Sequence, residues 1–247
     1  MVNQELISRM IEYASLISHD TALDIGAGFG FLTECLAEKC KCVLAVESDP
    51  KLAKFLHERF RDAPKIRVFE GDILKVPIPT FNKAVSIPPY WISSRLLLWL
   101  FDREFDSAVL IFQREFADRL VASINSDDYG WLTVVTYYHS EVELLDAVPK
   151  ASFYPEPGVG SVIVRVTSRA SVPFHLKNEA MFNRLVQSVF TERNRKVRNA
   201  CVAFLKSAMK VQKQKTLQMV ENIPFRDKRV RELSPEDFAV LANAFVD

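Results

Sequence analysis

The stretch from Leu23 to Thr33 constrains this chain more than any other. Asp24, Gly26, Gly28 and Gly30 fall at alternate positions between an apolar run that reads as a strand (residues 21–25) and a run that reads as a helix (residues 31–39). Glycines at such a junction let the turn be tight and let a ligand lie against bare backbone, while the helix N-terminus faces the same crevice. A strand, glycine turn and helix in that order open a parallel β-α-β unit, so the turn points to a fold as well as to a ligand crevice.

The rest of the first 170 residues repeats the alternation. Apolar residues recur at three and four from Val2 to Ile17, which predicts an amphipathic helix. Strands are predicted at 42–46, 66–69, 83–87, 107–112 and 131–138, with helices at 50–60 and 115–124 and a closing antiparallel pair at 141–148 and 159–166. This alternation implies a doubly wound parallel sheet with helices on both faces. Beyond Pro173 the pattern turns purely helical, at 178–190, 196–209, 216–220 and 235–245. The expected organisation is therefore an α/β domain over residues 1–170 followed by a small all-helical domain over 171–247.

Charge shifts at the same place. The formal net charge is only +1, but from Ser171 to Arg231 fourteen Lys/Arg stand against four Asp/Glu. A local excess of that size makes the C-terminal part a candidate surface for a polyanion, since phosphates bind lysine and arginine with counterion release; a solvated helical face is the plainer alternative. Apolar runs such as 96–101 and 108–112 stop far short of the ~20 residues a bilayer crossing needs, and the first ten residues carry no signal-peptide pattern, so a cytoplasmic protein without a membrane span is expected. Cys35, Cys40, Cys42 and Cys201 lack metal-site spacing and have no histidine within five residues. They read as plain thiols, with no metal expected.

Two acids sharpen the reading of the glycine turn. Glu47 ends the second predicted strand, where a carboxylate accepts hydrogen bonds from ribose hydroxyls, and Asp72 follows the third, where it can take the amino group of an adenine. Glycine turn, acid and acid at three consecutive strand ends describe an adenosine pocket. A nicotinamide dinucleotide would want G-x-G-x-x-G, and Phe31 stands where the third glycine would be. The spacing instead resembles the first motif of S-adenosylmethionine-dependent methyltransferases, with Glu47 and Asp72 resembling their second and third.

Further segments narrow the resemblance. Ser86 to Ser94 (Ser-Ile-Pro-Pro-Tyr-Trp-Ile-Ser-Ser) is similar to the Asn-Leu-Pro-Tyr-x-Ile-Ser-Ser element of the ribosomal RNA adenine dimethyltransferases, a family related to the erythromycin-resistance methylases and the mitochondrial transcription factor B proteins. Gln113, Glu115, Ala117, Arg119 and Leu120 resemble the family's Q-x-E-x-A-x-R-L helix. Tyr129 to Leu132, Phe153 to Ser161, Arg193 to Asn199 and Arg231 to Phe238 then match in order, over nearly the whole chain. The resemblance implies a Rossmann-like methyltransferase sheet with a small helical domain and S-adenosylmethionine as cofactor. It implies N6,N6-dimethylation of adenosine in small-subunit ribosomal RNA, as part of ribosome biogenesis, by a protein expected to be a monomer. Asp24, Gly26, Gly28, Gly30, Glu47, Asp72 and Ser86 are the implied cofactor residues. Ile87, Pro88, Pro89, Tyr90 and Phe153 are the implied catalytic set, with Tyr90 and Phe153 stacking on an extruded adenine. Arg193, Arg195, Lys196 and Arg198 are the implied RNA contacts.

The chain departs from the family at one telling position. Where relatives carry the asparagine whose side-chain oxygen holds the target amine, this chain has Ile87, and the next leucine is Pro88. A second reading accordingly stays open at this point: a paralogue on the same scaffold that binds RNA or the ribosomal subunit as an assembly or transcription factor. Ser86, or the carbonyls of Ile87 and Pro88, could take over the missing acceptor.

Overall fold

The computed structural model describes residues 3–153, 156, 158–207 and 213–246. Val2 at the start of the expected first helix, Met209 at the end of another, and Tyr154, Pro155 and Pro157 of the Phe153–Ser161 motif lie outside the described residues.

Helix α1 (Gln4–Ala14) is capped by the Asn3 side chain, which accepts from Glu5 N, and ends at Ser15 in the left-handed region. Leu6, Ile7, Met10 and Ala14 form its buried stripe. The alternation then runs β1 (Thr21–Ile25), α2 (Phe31–Lys39), β2 (Cys42–Glu47), α3 (Pro50–Arg59), β3 (Ile66–Glu70), β4 (Lys83–Ser86), α4 (Ser93–Phe101), β5 (Ser107–Gln113) and α5 (Arg114–Leu120). Asp49 caps α3 through Lys51 N, and Pro50 opens the helix where its missing N–H costs nothing. Next come α6 (Trp131–His139), β6 (Ser140–Val148) and β7 (Ser161–Ser168), and the chain closes with α7 (Glu179–Phe190), α8 (Val197–Ser207), α9 (Lys213–Glu221) and α10 (Pro235–Asn243).

Among the described residues seven strands form one sheet in the order β3-β2-β1-β4-β5-β7-β6. Strands β1 to β5 pair in parallel, with Leu23 opposite Leu44 on one side and Ala84 on the other, while β7 runs antiparallel to β5. The order reverses between β1 and β4, so chain leaving those two strands goes to opposite sides and opens a crevice at their carboxyl ends. The Rossmann-like α/β architecture is thus the one the sequence implies.

One expected element is of the wrong type. Residues 131–138, expected as a strand, are the helix α6. Leu132, Val134, Val135 and Tyr138 are buried around most of its circumference, so no apolar/polar period survives in the sequence, and its β-branched residues mimic a strand. Gly130 N donates to Thr133 Oγ1, whose hydroxyl donates in turn to Arg119 O at 2.6 Å, which ties the helix's first turn to α5.

The chain forms two compact units, Met1–Ala117 with Glu141–Ser168, and Asp118–Ser140 with Arg169–Asp247. The first holds the sheet. The second is helical and gathers Tyr129, Val134 and Tyr138 with Phe182, Phe190, Phe204 and Phe238 into one core. Segment 118–140 therefore packs with the C-terminal helices although β6 and β7 follow it in sequence.

Candidate active site in the sheet unit

The glycine turn leaves β1 with Gly26, Gly28 and Gly30 all at positive φ, at 74°, 58° and 81°. Each glycine has its own reason. A Cβ on Gly30 would lie 2.6 Å from the Phe60 ring and 2.8 Å from Leu56, so this residue lets α2 sit close to α3. A Cβ on Gly26 would meet Pro89 at 3.3 Å, which brings the end of β1 against the loop leaving β4. At Gly28 the nearest atom is the Gly26 carbonyl oxygen at 3.9 Å, so its bare backbone faces open space. Gly26 N and Ala27 N both donate to Val46 O, tying the turn to β2.

Asp24, at the end of β1, is buried, and its carboxylate accepts from Thr33 Oγ1 at 2.7 Å. Burial pushes its pKa up to about 7, against the opposing pull of the Thr33 and Ser86 hydroxyls. Glu47 is nearly buried as well. Its Oε2 accepts from Gly28 N at 2.9 Å and its Oε1 from Asp49 N at 2.8 Å. The acid read as a ribose acceptor thus also clamps the glycine turn; Ser48 Oγ also donates to Oε1, at 3.5 Å, and a further lone pair is left on Oε2. Asp72 stands one residue beyond Gly71 at the end of β3, and its Oδ1 accepts from Leu74 N at 3.0 Å.

Two clefts open at these strand ends. One is lined by Ile7, Asp24, Gly26, Gly28, Phe31 and Ile87. The other is lined by Gly26, Val46, Ser48, Asp72, Ile73 and Trp91, among others. Gly26 belongs to both, so the two clefts meet at the glycine turn: Asp72 edges the one that also takes Pro89 and Trp91 from the loop of β4, and Asp24 and Ile87 line the other. Ile73, Ser48 and Trp91 were not singled out from sequence, and Phe31 was noted only as the residue standing where a third glycine would be; the position of Ile73 directly after Asp72 and of Trp91 directly after Tyr90 could have flagged two of them.

The loop after β4 is tied down at both ends, through Ser86 and Tyr90. Ser86 is fully buried, with Ile25 N donating to its Oγ at 2.6 Å and its hydroxyl 3.4 Å from Leu23 O, so its side chain joins β4 to β1. Ile87 is half-buried against the core that includes Ile7 and Met10, and Phe153 packs against that same core. The Ile87 carbonyl oxygen lies 4.0 Å from where a Gly26 Cβ would stand. Pro88 is buried and Pro89 exposed. Tyr90 opens a 3-10 turn, Tyr90–Ile92, and its hydroxyl shares a 2.7 Å hydrogen bond with Ser161 Oγ at the start of β7. Asp24, the three glycines, Glu47, Asp72, Ile87, Pro89 and Tyr90 are therefore brought to the carboxyl edge of the sheet, while Ser86 is turned into it.

In the helical unit the four expected RNA contacts separate. Arg193 donates to the carbonyl oxygens of Asp127 and Ser126, each at 2.5 Å, and holds that loop. Arg195 pairs with Glu192 at 3.2 Å, and Lys196 and Arg198 share Asp227 at 3.3 and 3.2 Å. Lys196 bridges to Arg229 in an isolated antiparallel step, which sets Arg226, Lys228 and Arg229 beside the 193–198 segment.

The sheet order, the glycine turn and the two acids define a Rossmann-like methyltransferase, with a donor set suited to an adenosine-containing cofactor. Comparison with known proteins gives the family. A family model described as ribosomal RNA adenine dimethylase matches residues 1–245. A probable ribosomal RNA small subunit methyltransferase A from Methanosarcina acetivorans is 42% identical over 243 residues, covering 98% of this chain and 89% of its own. One from Thermococcus kodakarensis is 35% identical, covering 96% and 84%. Among solved structures, a dimethyladenosine transferase from Plasmodium falciparum superposes with a TM-score of 0.82 at 27% identity, over 98% of this chain and 95% of that one. The 23S rRNA methyltransferase ErmE does so with a TM-score of 0.69, also at 27% identity, over 99% and 98%. The chain belongs to the ribosomal RNA adenine dimethylase family. It is a ribosomal RNA adenine methyltransferase that uses S-adenosylmethionine.

Proposed function

We propose that this chain dimethylates N6 of adenosine in small-subunit ribosomal RNA, the base entering along Ile87, Pro88, Pro89 and Tyr90. The observation that carries the reading is the approach of Pro89 to Gly26. It joins the cofactor turn of β1 and the loop of β4 into one crevice, at the topological switch point where such sheets bind ligands.

The residues fit the cofactor. Gly26 and Gly28 offer bare backbone, and Glu47 keeps a lone pair on Oε2 for a ribose hydroxyl while its remaining capacity fixes the turn. Asp72 keeps one carboxylate oxygen for an adenine amine. When bound, S-adenosylmethionine supplies an electrophilic methyl group on a sulfonium.

The loop of β4 acts by position. Tyr90, its hydroxyl fixed by Ser161, and Phe153, seated on the α1 core, offer faces to hold an unstacked base. Ile87 has no side-chain acceptor, and the Ser86 hydroxyl is committed to β1. The acceptors for the target amine are then the main-chain carbonyls of Ile87 and Pro88. Hydrogen bonds from the amine to carbonyls draw its lone pair out of conjugation with the ring and aim it, so orientation supplies most of the rate. Arg195, Lys196 and Arg198, joined by Arg226, Lys228 and Arg229, neutralise RNA phosphates.

No described helix is long and apolar enough to cross a membrane, and all four cysteines are free thiols, the state of a reducing compartment. We place the protein in the cytoplasm, acting as a monomer on small-subunit RNA or its precursor particle.

Transfer of tritiated methyl from S-adenosylmethionine to small subunits lacking the modification tests this reading, with nucleoside chromatography to identify dimethyladenosine. Ile87→Asn restores a side-chain acceptor and should raise the single-turnover rate roughly tenfold, the equivalent of about 1.4 kcal/mol. Absence of label in adenosine with the wild-type chain refutes the proposal.

A further inference from the structure

The chain has three tryptophans, in three settings. Trp99 is buried and stacked on Phe81 at 6.1 Å. Trp131 packs against the helical core. Trp91 is 73% exposed, and no family motif calls for it, since it fills the variable position of the Tyr-x-Ile-Ser-Ser element.

Its exposure is not that of a loose loop. Trp91 is the middle residue of the 3-10 turn Tyr90–Ile92. On either side, Ile92 N donates to Pro89 O at 3.1 Å, Ser93 Oγ donates to Tyr90 O at 2.8 Å, and Ile92 and Ser93 are buried. The backbone thus holds an indole in water at a fixed place, against the ordinary preference of so large an apolar group. Arg95, one turn on, sets its guanidinium 5.7 Å from the ring centroid, so a cation takes one face and leaves the other. The indole lines the cleft that also contains Asp72, Ile73, Ser48 and Val46.

We propose that Trp91 is a cofactor-binding residue: the cleft lined by Trp91, Ile73 and Asp72 takes the adenine of S-adenosylmethionine, with the indole covering the purine face and Asp72 accepting its amine. The inference rests on reading this cleft as the cofactor pocket. A purine needs a flat apolar surface and, at its edge, an acceptor; Trp91 supplies the first and Asp72 the second. A base of the RNA is the other conceivable partner for an exposed indole beside an arginine. The carboxylate of Asp72 in the same cleft disfavours a phosphodiester there and favours the neutral adenosine end of the cofactor.

The test uses the purified full chain and S-adenosylhomocysteine, by calorimetry and by tryptophan fluorescence. Titration should change the emission of the wild-type chain, and that change should be absent in Trp91→Phe. Trp91→Ala should raise Kd roughly tenfold, Trp91→Phe less, the span expected of an aromatic stacked on a base. Because the side chain is exposed, both variants should keep the wild-type melting temperature. Unchanged affinity in Trp91→Ala overturns the assignment, and unchanged cofactor affinity with weakened RNA binding hands the ring to the RNA. Asp72→Asn separates the two levels of inference. If it leaves affinity intact, or if the wild-type chain binds no S-adenosylhomocysteine, the reading of the cleft itself falls and Trp91 with it.

Discussion

Asp24 carries a stability signature that can be isolated from the rest of the molecule. It is 1% exposed, it ends β1 under the glycine turn, and burial raises its pKa from 3.8 to about 7, Thr33 and Ser86 offsetting only part of the desolvation and Glu47 adding to it. The ratio of those proton affinities corresponds to on the order of 4 kcal/mol. Since the folded-state value is the higher one, the folded chain holds the proton more tightly. The stability tied to that proton is fully present below about pH 4, where both states are protonated, and is lost as pH rises toward 7. Roughly 2–3 kcal/mol of the loss falls between about pH 5 and about pH 8. Asp24→Asn keeps an acceptor for Thr33 Oγ1 but cannot ionise, so the loss should vanish. Urea unfolding of both chains at the two pH values gives the test, because contributions from all other groups cancel in the difference. The stability of the variant relative to wild type should rise by about that amount from the lower to the higher pH. A difference that is the same at both values would show that the carboxylate ionises freely in the fold, and the reasoning would be wrong.

Two further outcomes follow from the same geometry. Gly30→Ala combines a left-handed backbone with a Cβ 2.6 Å from the Phe60 ring, and should cost about 2–4 kcal/mol in urea unfolding. Gly28→Ala, with open space around the new methyl, should cost about 1 kcal/mol of stability while lowering cofactor affinity more severely. In the helical unit, Arg193→Ala removes two hydrogen bonds to main-chain carbonyls and should lower the melting temperature by several degrees, equivalent to about 1.5–3 kcal/mol. The pair Lys196→Ala with Arg198→Ala, exposed and sharing Asp227, should leave the melting temperature nearly unchanged but flatten the salt dependence of RNA binding. An unchanged salt slope would remove those two cations from the RNA interface.

Much of this protein was legible in one dimension because its signals are local. The alternation of apolar strands and helices with a glycine turn after the first strand specifies a parallel β-α-β sheet whatever surrounds it. Glu47 and Asp72 were found because their positions at strand ends are themselves sequence facts. The family elements after β4 and along α5 could be read because they are contiguous.

What the sequence left undecided depends on neighbours from far along the chain. Helix α6 looked like a strand because it is buried around most of its surface, and burial erases the period by which helices are recognised. Arg193 looked like its three cationic neighbours, and only the folded loop at Ser126 and Asp127 turns it inward. Ser86 looked available to replace a missing asparagine until Ile25 N and Leu23 O, more than sixty residues earlier, claimed its hydroxyl. Trp91 carried no signal beyond its place next to Tyr90, since an exposed aromatic and a core aromatic are the same letter. Local chemistry along the chain determined the fold class and the acids of the crevice; the tertiary structure alone decided which polar groups are already spent on holding the protein together, because hydrogen bonds between distant segments leave no trace in sequence spacing.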